Sequence, residues 1–296
     1  MYKITCIRNI QNIRNIHNIN NIKTILRPVQ TFRKFNTTNK ENKLYEIDVN
    51  NDKNTHINNI KRNEKLNKYI TDVYKYTGVG FATTLGVSVG SSALIPFVLI
   101  PQIMPVVWIG GFGTSLYSIY KMSKIPSITN SDMTEDIPEE KKKYYTMFSI
   151  SNGITLTPIV FLSFVINPSI FPIALTSTIA TFGGATYFAL KQSNLDSIKM
   201  EAPLMGGVCG LIGTNLVVLG AGYCGFIKFA DTLDLIATFA SVGIFTGLIV
   251  VDTQKAIQSF NNRTLDTIKS STEMVLDMTN LLVDFIKLLI RLQKRE

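Results

Sequence analysis

Long stretches without a charged residue constrain this chain more than any other feature. Four such runs cover residues 76–120, 144–190, 202–227 and 235–251. About 20 apolar residues cross the hydrocarbon core of a bilayer, so the first two runs can each hold two helices and the others one each. Helices satisfy their own backbone hydrogen bonds, which lipid cannot do for them. The runs therefore predict six membrane spans, with breaks around Pro101–Pro105 and at Asn167-Pro168.

A seventh, semi-hydrophobic segment follows at residues 272–292. Its polar side chains recur every three or four positions and so share one face of a helix: Asp277, Asn280, Asp284, Lys287 and Arg291. A charged stripe in a spanning helix must face protein rather than lipid. We therefore predict an all-α membrane protein over residues 76–296, a seven-transmembrane-helix bundle with this helix at its centre. The alternative is an amphipathic helix on the membrane surface.

Charge is concentrated at the N-terminus. Residues 1–43 carry nine Lys and Arg against one acid, Glu41, whereas the other residues carry 21 basic and 20 acidic side chains. A basic, acid-poor leader is typical of a mitochondrial transit peptide; the alternative is an Asn-rich tail without an address. Residues 44–75 are polar and predict a disordered or loosely helical linker. Because the excess charge lies in the leader, no nucleic-acid-binding surface is expected.

Basic residues beside the predicted spans favour one side of the membrane. Most of them, including Lys121, Lys191, Lys255 and Lys269, fall on the side of the N-terminus. The positive-inside rule then places that side in the matrix if the membrane is the mitochondrial inner membrane. The link at residues 121–143 holds five basic and five acidic residues, and we expect it to be a solvated connection without a function of its own.

Two aspartates lie where a charge is costly. Asp252 closes the run that begins at Leu235, and Asp277 lies just inside the next apolar segment. Two carboxylates brought close in a low-dielectric site tend to hold one proton between them, which makes the pair sensitive to pH. Their oxygens also suit Ca²⁺, so transient calcium binding is expected there. Alternatively, Asp252 simply marks the water-exposed end of its helix.

Three motifs occur in a fixed order along the chain. Residues 153–160 read Gly-Ile-Thr-Leu-Thr-Pro-Ile-Val, residues 200–204 read Met-Glu-Ala-Pro-Leu, and Asp-Thr-Gln-Lys at 252–255 is followed by Leu-Asp-x-x-Asn-Leu at 276–281. Together they resemble the Bax inhibitor-1 family of membrane proteins, over roughly residues 70–292, and its mitochondrial branch most closely. The resemblance implies a pH-dependent calcium leak or calcium/proton exchange that depends on Asp252 and Asp277.

The resemblance also suggests supporting residues. Relatives have an arginine near the end of the second helix that latches to the aspartate pair, but no arginine occurs between Arg62 and Arg263. Lys121 occupies roughly that place, and it can neutralise charge without a bidentate contact. Asn280 offers an amide oxygen near the pair. Asp284 is expected to balance Lys287 or Lys121.

The predicted function is a pH-sensitive calcium leak channel or calcium/proton exchanger of the mitochondrial inner membrane. The alternatives are a non-conducting scaffold in cell-death control or cristae organisation, and another endomembrane such as the endoplasmic reticulum. An enzyme is not expected, because both histidines precede the apolar region and the Tyr-Asp and Gly-x-Gly-Asp signatures of intramembrane aspartyl proteases are absent. The expected partners are the bilayer, calcium ions, protons and other membrane proteins, without a cofactor.

Overall fold

The computed structural model describes residues 41–94, 100–192 and 197–293. It divides the chain into a unit that ends at Ile57 and a larger unit, Asn58–Glu296. Of the smaller unit, the described part is the helical segment 41–57, and the predicted transit peptide lies outside the described residues except for positions 41–43. The described residues form seven helices and one two-stranded sheet: α1 Glu41–Leu94, α2 Ile100–Lys124, β1 Ile128–Thr129, β2 Glu135–Asp136, α3 Glu139–Ile166, α4 Ile170–Lys191, α5 Ser197–Tyr223, α6 Ile227–Asn261 and α7 Thr267–Gln293.

Four of these helices are long and apolar enough to cross a membrane. They are α3, α4, the part of α5 from Lys199 to Tyr223, and α6. The all-α prediction is confirmed, whereas the count of seven spans stays a prediction. Helix α7 stands apart because charged residues recur along its whole length.

The two predicted breaks between spans have different outcomes in the structure. Helix α2 begins at Ile100, so Pro101 and Pro105 lie inside it rather than between two helices. Pro101 is the second residue of the helix and costs little there, because the first four N–H groups have no intrahelical partner. The break at Asn167-Pro168 is confirmed, since it separates α3 from α4. The Asn167 side chain there accepts a hydrogen bond from the Ser169 N–H at 2.9 Å.

Residues 44–75, predicted as a disordered or loosely helical linker, are helical and belong to α1. The end of this stretch is packed: Tyr69 and Val73 join a buried cluster with Phe260 and Met274. The polar composition does not reveal these contacts, because the buried residues of this segment lie in a stripe on one side of the helix. That stripe continues into the apolar part of α1 at helical spacing: Tyr69, Val73, Thr77, Phe81, Thr84, Ser88 and Ser92.

The link between α2 and α3 holds the start of α7 in place, contrary to the expectation of a free connection. The Glu135 carboxylate accepts the Thr267 N–H, with its two oxygens at 2.9 and 3.1 Å. A carboxylate suits this position because the N-terminus of a helix carries a partial positive charge. Lys141, only 1% exposed, forms an ion pair of 2.7 Å with Asp266. Both contacts join the link to residues at the beginning of α7.

Helix α7 is buried around most of its circumference. Its buried residues include the consecutive positions 270–272 and 277–279, which point in different directions on a helix. The Ser271 hydroxyl donates to the Val73 carbonyl of α1 at 2.9 Å, and the Asn152 amide of α3 donates to the Thr279 hydroxyl at 3.0 Å. Leu281 packs with buried residues of α4 and α6. Helices α1, α3, α4 and α6 therefore surround the first half of α7, where Asp277 lies.

Helix α5 lies at the periphery. Many of its apolar side chains are exposed, as suits a helix with lipid on most sides. Its contact with α6 depends on glycines: a side chain at Gly207 would meet Ile244, and one at Gly247 would meet Leu204. Small residues let helices approach closely in lipid. The contact brings Glu201, at the start of α5, beside the end of α6.

Gly153 offers a test of the α1–α3 contact. A Cβ at this position would lie 2.6 Å from the Thr84 carbonyl oxygen, whereas a Cβ at Gly206 would meet nothing within 4 Å. We expect Gly153→Ala to destabilise the protein by about 1–3 kcal/mol through overpacking. Gly206→Ala, the matched control, should stabilise it by about 0.5–1 kcal/mol because alanine favours helix. Thermal unfolding in detergent measures both, and equal shifts of the two variants would contradict the packing argument.

Candidate aspartate site between α6 and α7

The two predicted aspartates meet between antiparallel helices. Asp252 in α6 and Asp277 in α7 are each 5% exposed. Their carboxyl groups lie within hydrogen-bonding reach of each other. A hydrogen bond between two carboxyl groups requires a proton on one of them. One oxygen of Asp277, Oδ2, is buried without a hydrogen-bond partner, so the site has an unused acceptor.

A lysine joins the pair to a third helix. The Lys255 ammonium lies 3.2 Å from Asp252 Oδ1 and 2.8 Å from Glu201 Oε1. Lys255 comes from the Asp-Thr-Gln-Lys motif and Glu201 from Met-Glu-Ala-Pro-Leu, so the ion pairs connect two motifs that are distant in sequence. Sequence reasoning missed Glu201 as a member of the site. The signal that could have identified Glu201 was its charge, which is opposite to that of Lys255 in the other motif.

Each residue of the Asp-Thr-Gln-Lys motif contacts a different helix. Asp252 faces Asp277 of α7 and Lys255 faces α5, as described above. The Thr253 hydroxyl lies 3.2 Å from the Tyr74 hydroxyl of α1. The Gln254 amide donates to the Ala189 carbonyl and, at 2.9 Å, to the Gln192 carbonyl, both at the end of α4. Successive residues of a helix are turned by about 100°, so four in a row can serve four neighbours.

A further acid, also missed from sequence, lies one turn before Asp277. Glu273 is half-buried and close enough to interact electrostatically with Asp252 and Lys255. The site thus groups four acids, Asp252, Asp277, Glu201 and Glu273, around one lysine. The available signal for Glu273 was its spacing of four residues from Asp277 along α7, which places both on one face of the helix. No group of three or more histidine, cysteine or acidic side chains in the described ranges has the geometry of a resident metal centre.

A second set of polar contacts links α6 and α7 further along. The Ser241 hydroxyl donates a short hydrogen bond to Asp284, which is 5% exposed. Arg291 forms an ion pair with Asp234. Ser241 and Asp234 are seven residues apart, as are Asp284 and Arg291, which is two turns on each helix. The polar stripe of α7 therefore follows α6 over much of its length.

No curated protein and no solved structure matches the chain. The family described as "Inhibitor of apoptosis-promoting Bax1" matches residues 66–295, which is most of the chain. The chain belongs to the Bax inhibitor-1 family. A multi-pass membrane protein of this family is consistent with the four apolar helices.

The supporting residues expected from the family lie in three different surroundings. Lys121, predicted in place of the family's latching arginine, lies over the Tyr117 ring of its own helix, 5.6 Å from the ring centroid. Within the described ranges it makes no ion pair with either aspartate of the site. Lys255 instead supplies the cation beside Asp252. In this Bax inhibitor-1 protein the neutralising charge therefore comes from the same motif as the aspartate.

Asn280 and Asp284 face away from the pair. Asn280 lines a cavity of about 500 Å³ between α2, α3 and α7, together with Asn152 and Thr279. Asp284 is satisfied by Ser241 and lies near Lys287. The direct partner of Asp284 is thus an α6 hydroxyl, and its expected role in balancing Lys287 stays a prediction. Asn280 thus belongs to a different contact from Asp277, although it follows Asp277 by only about one turn of helix.

Proposed function

We propose that this Bax inhibitor-1 protein is a pH-sensitive calcium leak channel or calcium/proton exchanger, controlled by Asp252 and Asp277. The observation that carries the proposal is the enclosed contact between the two carboxyl groups, with one oxygen of Asp277 left without a partner. While a proton is shared, the hydrogen bond holds α6 against α7. When that proton leaves, two adjacent negative charges repel each other and can bind a hard cation.

The surrounding charges support a cation rather than an anion. Four acids face one lysine at the site, so losing the shared proton leaves the group strongly negative. Lys255 is 29% exposed at its side chain and Glu201 39% exposed, which gives the site contact with water on the side of the α6 C-terminus. Oxygen ligands from carboxylates are those that Ca²⁺ prefers. Calcium is here the transported ion and not a resident cofactor.

Calcium flux with the purified full chain tests the proposal. We expect vesicles that contain the protein to take up calcium faster as pH rises from about 6 to 8, because the ionised pair favours the open, cation-binding state. Empty vesicles and the same vesicles with the protein heat-denatured are the controls. A protein that gives no flux at any pH would favour the alternative, a non-conducting scaffold in cell-death control or cristae organisation.

The proposed setting is the mitochondrial inner membrane, in the branch of the growth hormone-inducible transmembrane protein. The support is the basic leader, residues 1–43, and the Asp-Thr-Gln-Lys motif. In this arrangement seven helices span the membrane with α7 at the centre, and the ends of the chain lie on opposite sides.

The leader offers a direct test of that setting. A fusion of residues 1–45 to a soluble reporter should be imported into mitochondria, because import driven by membrane potential recognises basic, acid-poor leaders. Replacement of the leader's basic residues by glutamine is the control and should abolish import. A reporter that stays cytosolic or enters the endoplasmic reticulum would contradict the mitochondrial location.

A further inference from the structure

A second pocket lies far from the aspartates, between α1, the α2–α3 link and the start of α7. Its volume is about 390 Å³. Its charged lining residues are three lysines of α1, Lys65, Lys68 and Lys75, and two acids, Asp72 and Glu135. Tyr76, Val79 and Ile137 are among its aromatic and aliphatic residues.

Some charged groups of this pocket have hydrogen-bond partners, whereas others have no ion-pair partner. Lys65 donates to the Asp132 carbonyl, and the Glu135 carboxylate is occupied by the Thr267 N–H. Among the residues that the structure describes, Lys68 and Lys75 have no ion-pair partner. Asp72, the other acid of the lining, forms no ion pair with either lysine in that part of the chain. Both ammonium groups can therefore bind an anion.

The pocket lies at the expected boundary between water and lipid. Tyr76 is the first residue of the uncharged run 76–120, and Ile137 precedes α3, which is apolar enough to cross a membrane. Val79, one turn beyond Tyr76, is 57% exposed. The pocket thus has lysines at one end and, at the other, the exposed Val79 and the half-buried Ile137. Tyrosine lies between them, as is common at membrane interfaces.

We propose that this pocket binds an anionic phospholipid. Lys68 and Lys75 contact the phosphate, and Tyr76, Val79 and Ile137 contact the glycerol and the first acyl carbons. Basic pockets on the inner side of a membrane attract anionic headgroups. The apolar end distinguishes a lipid from free phosphate, because a soluble anion would leave the exposed Val79 side chain uncovered. The proposal concerns a surface separate from the aspartate site and does not depend on calcium transport.

Native mass spectrometry of the detergent-purified full chain tests the proposal, with phosphatidylglycerol and phosphatidylcholine as probes. We expect preferential binding of phosphatidylglycerol, weakened about fivefold by each of Lys68→Gln and Lys75→Gln. The Lys68→Arg/Lys75→Arg variant should retain binding because it keeps both charges. The matched control is Lys61→Gln/Lys124→Gln, which removes two exposed charges outside the pocket and should leave binding unchanged.

Three results would overturn the proposal. Unchanged phosphatidylglycerol binding by the Lys68→Gln/Lys75→Gln variant would exclude the pocket. An equal loss in the Lys61→Gln/Lys124→Gln control would indicate diffuse surface charge. Displacement of the lipid by millimolar inorganic phosphate would identify a site for the free anion. Unfolding temperatures without added lipid should be the same for all variants, so that a change in lipid binding reports on the pocket alone.

Discussion

Replacing Asp252 or Asp277 by asparagine is expected to leave the protein folded and to flatten the pH dependence of calcium flux. An amide can hydrogen-bond the remaining carboxyl group, but it cannot change its charge with pH. A single titrating group changes a rate by at most about tenfold per pH unit. We expect each variant to vary less than about twofold between pH 6 and 8, because the repulsion that loss of the shared proton creates is gone.

Controls separate the pair from its neighbours. The double variant should add little to either single change, since the two carboxyl groups act as a unit. Asp284→Asn should alter the flux far less, because Asp284 hydrogen-bonds Ser241 and not the pair. Single variants that both keep the wild-type pH profile would refute the role of the pair. So would an Asp284→Asn variant that alone abolishes the pH dependence.

Replacing Lys255 by glutamine is expected to move the midpoint of the flux–pH curve upward by about one unit. The Lys255 ammonium lies 3.2 Å from Asp252 and favours the ionised form of that carboxyl group. Without it the pair holds its proton to higher pH, so calcium flux begins at higher pH. Flux measured in vesicles between pH 5 and 9 locates the midpoint.

Replacing Glu201 by glutamine is expected to move the midpoint of the flux–pH curve in the opposite direction. Glu201 shares Lys255 with Asp252, at 2.8 Å. Once Glu201 is neutral, Lys255 interacts more strongly with Asp252, and the midpoint should move to lower pH. Midpoints that move in the same direction in Lys255→Gln and Glu201→Gln would contradict the shared lysine. Lys121→Gln should leave the midpoint in place, because Lys121 lies over Tyr117 and not beside the pair.

The sequence by itself predicted those features that depend on local composition and spacing. The uncharged runs indicated helices of membrane length, and Asn167-Pro168 marked the turn between α3 and α4. The position of Asp252 at the end of one segment and Asp277 near the start of the next indicated a meeting across a hairpin. A short connection forces adjacent helices to run antiparallel, so the two ends must be close.

Local composition was misleading where only one side of a helix is buried. Residues 69–75 belong to a polar stretch, yet Tyr69 and Val73 are core residues because they share a face with the apolar part of α1. The α2–α3 link is highly charged, but Glu135 and Lys141 bind groups at the start of α7. Composition averages over all sides of an element and cannot distinguish a solvated charge from a paired one.

Only the tertiary structure decided which side chains share the site. Asp277 and Asn280 belong to the same predicted stripe, but they lie about 60° apart around the helix. With the contact to α3, that difference turns Asn280 toward the cavity beside Asn152. Glu201 is more than fifty residues from Lys255 in sequence, and the close α5–α6 contact at Gly207 and Gly247 brings them together. The spacing of residues determines which face of a helix they share, whereas the rotation of that face toward a neighbour depends on packing among all the helices.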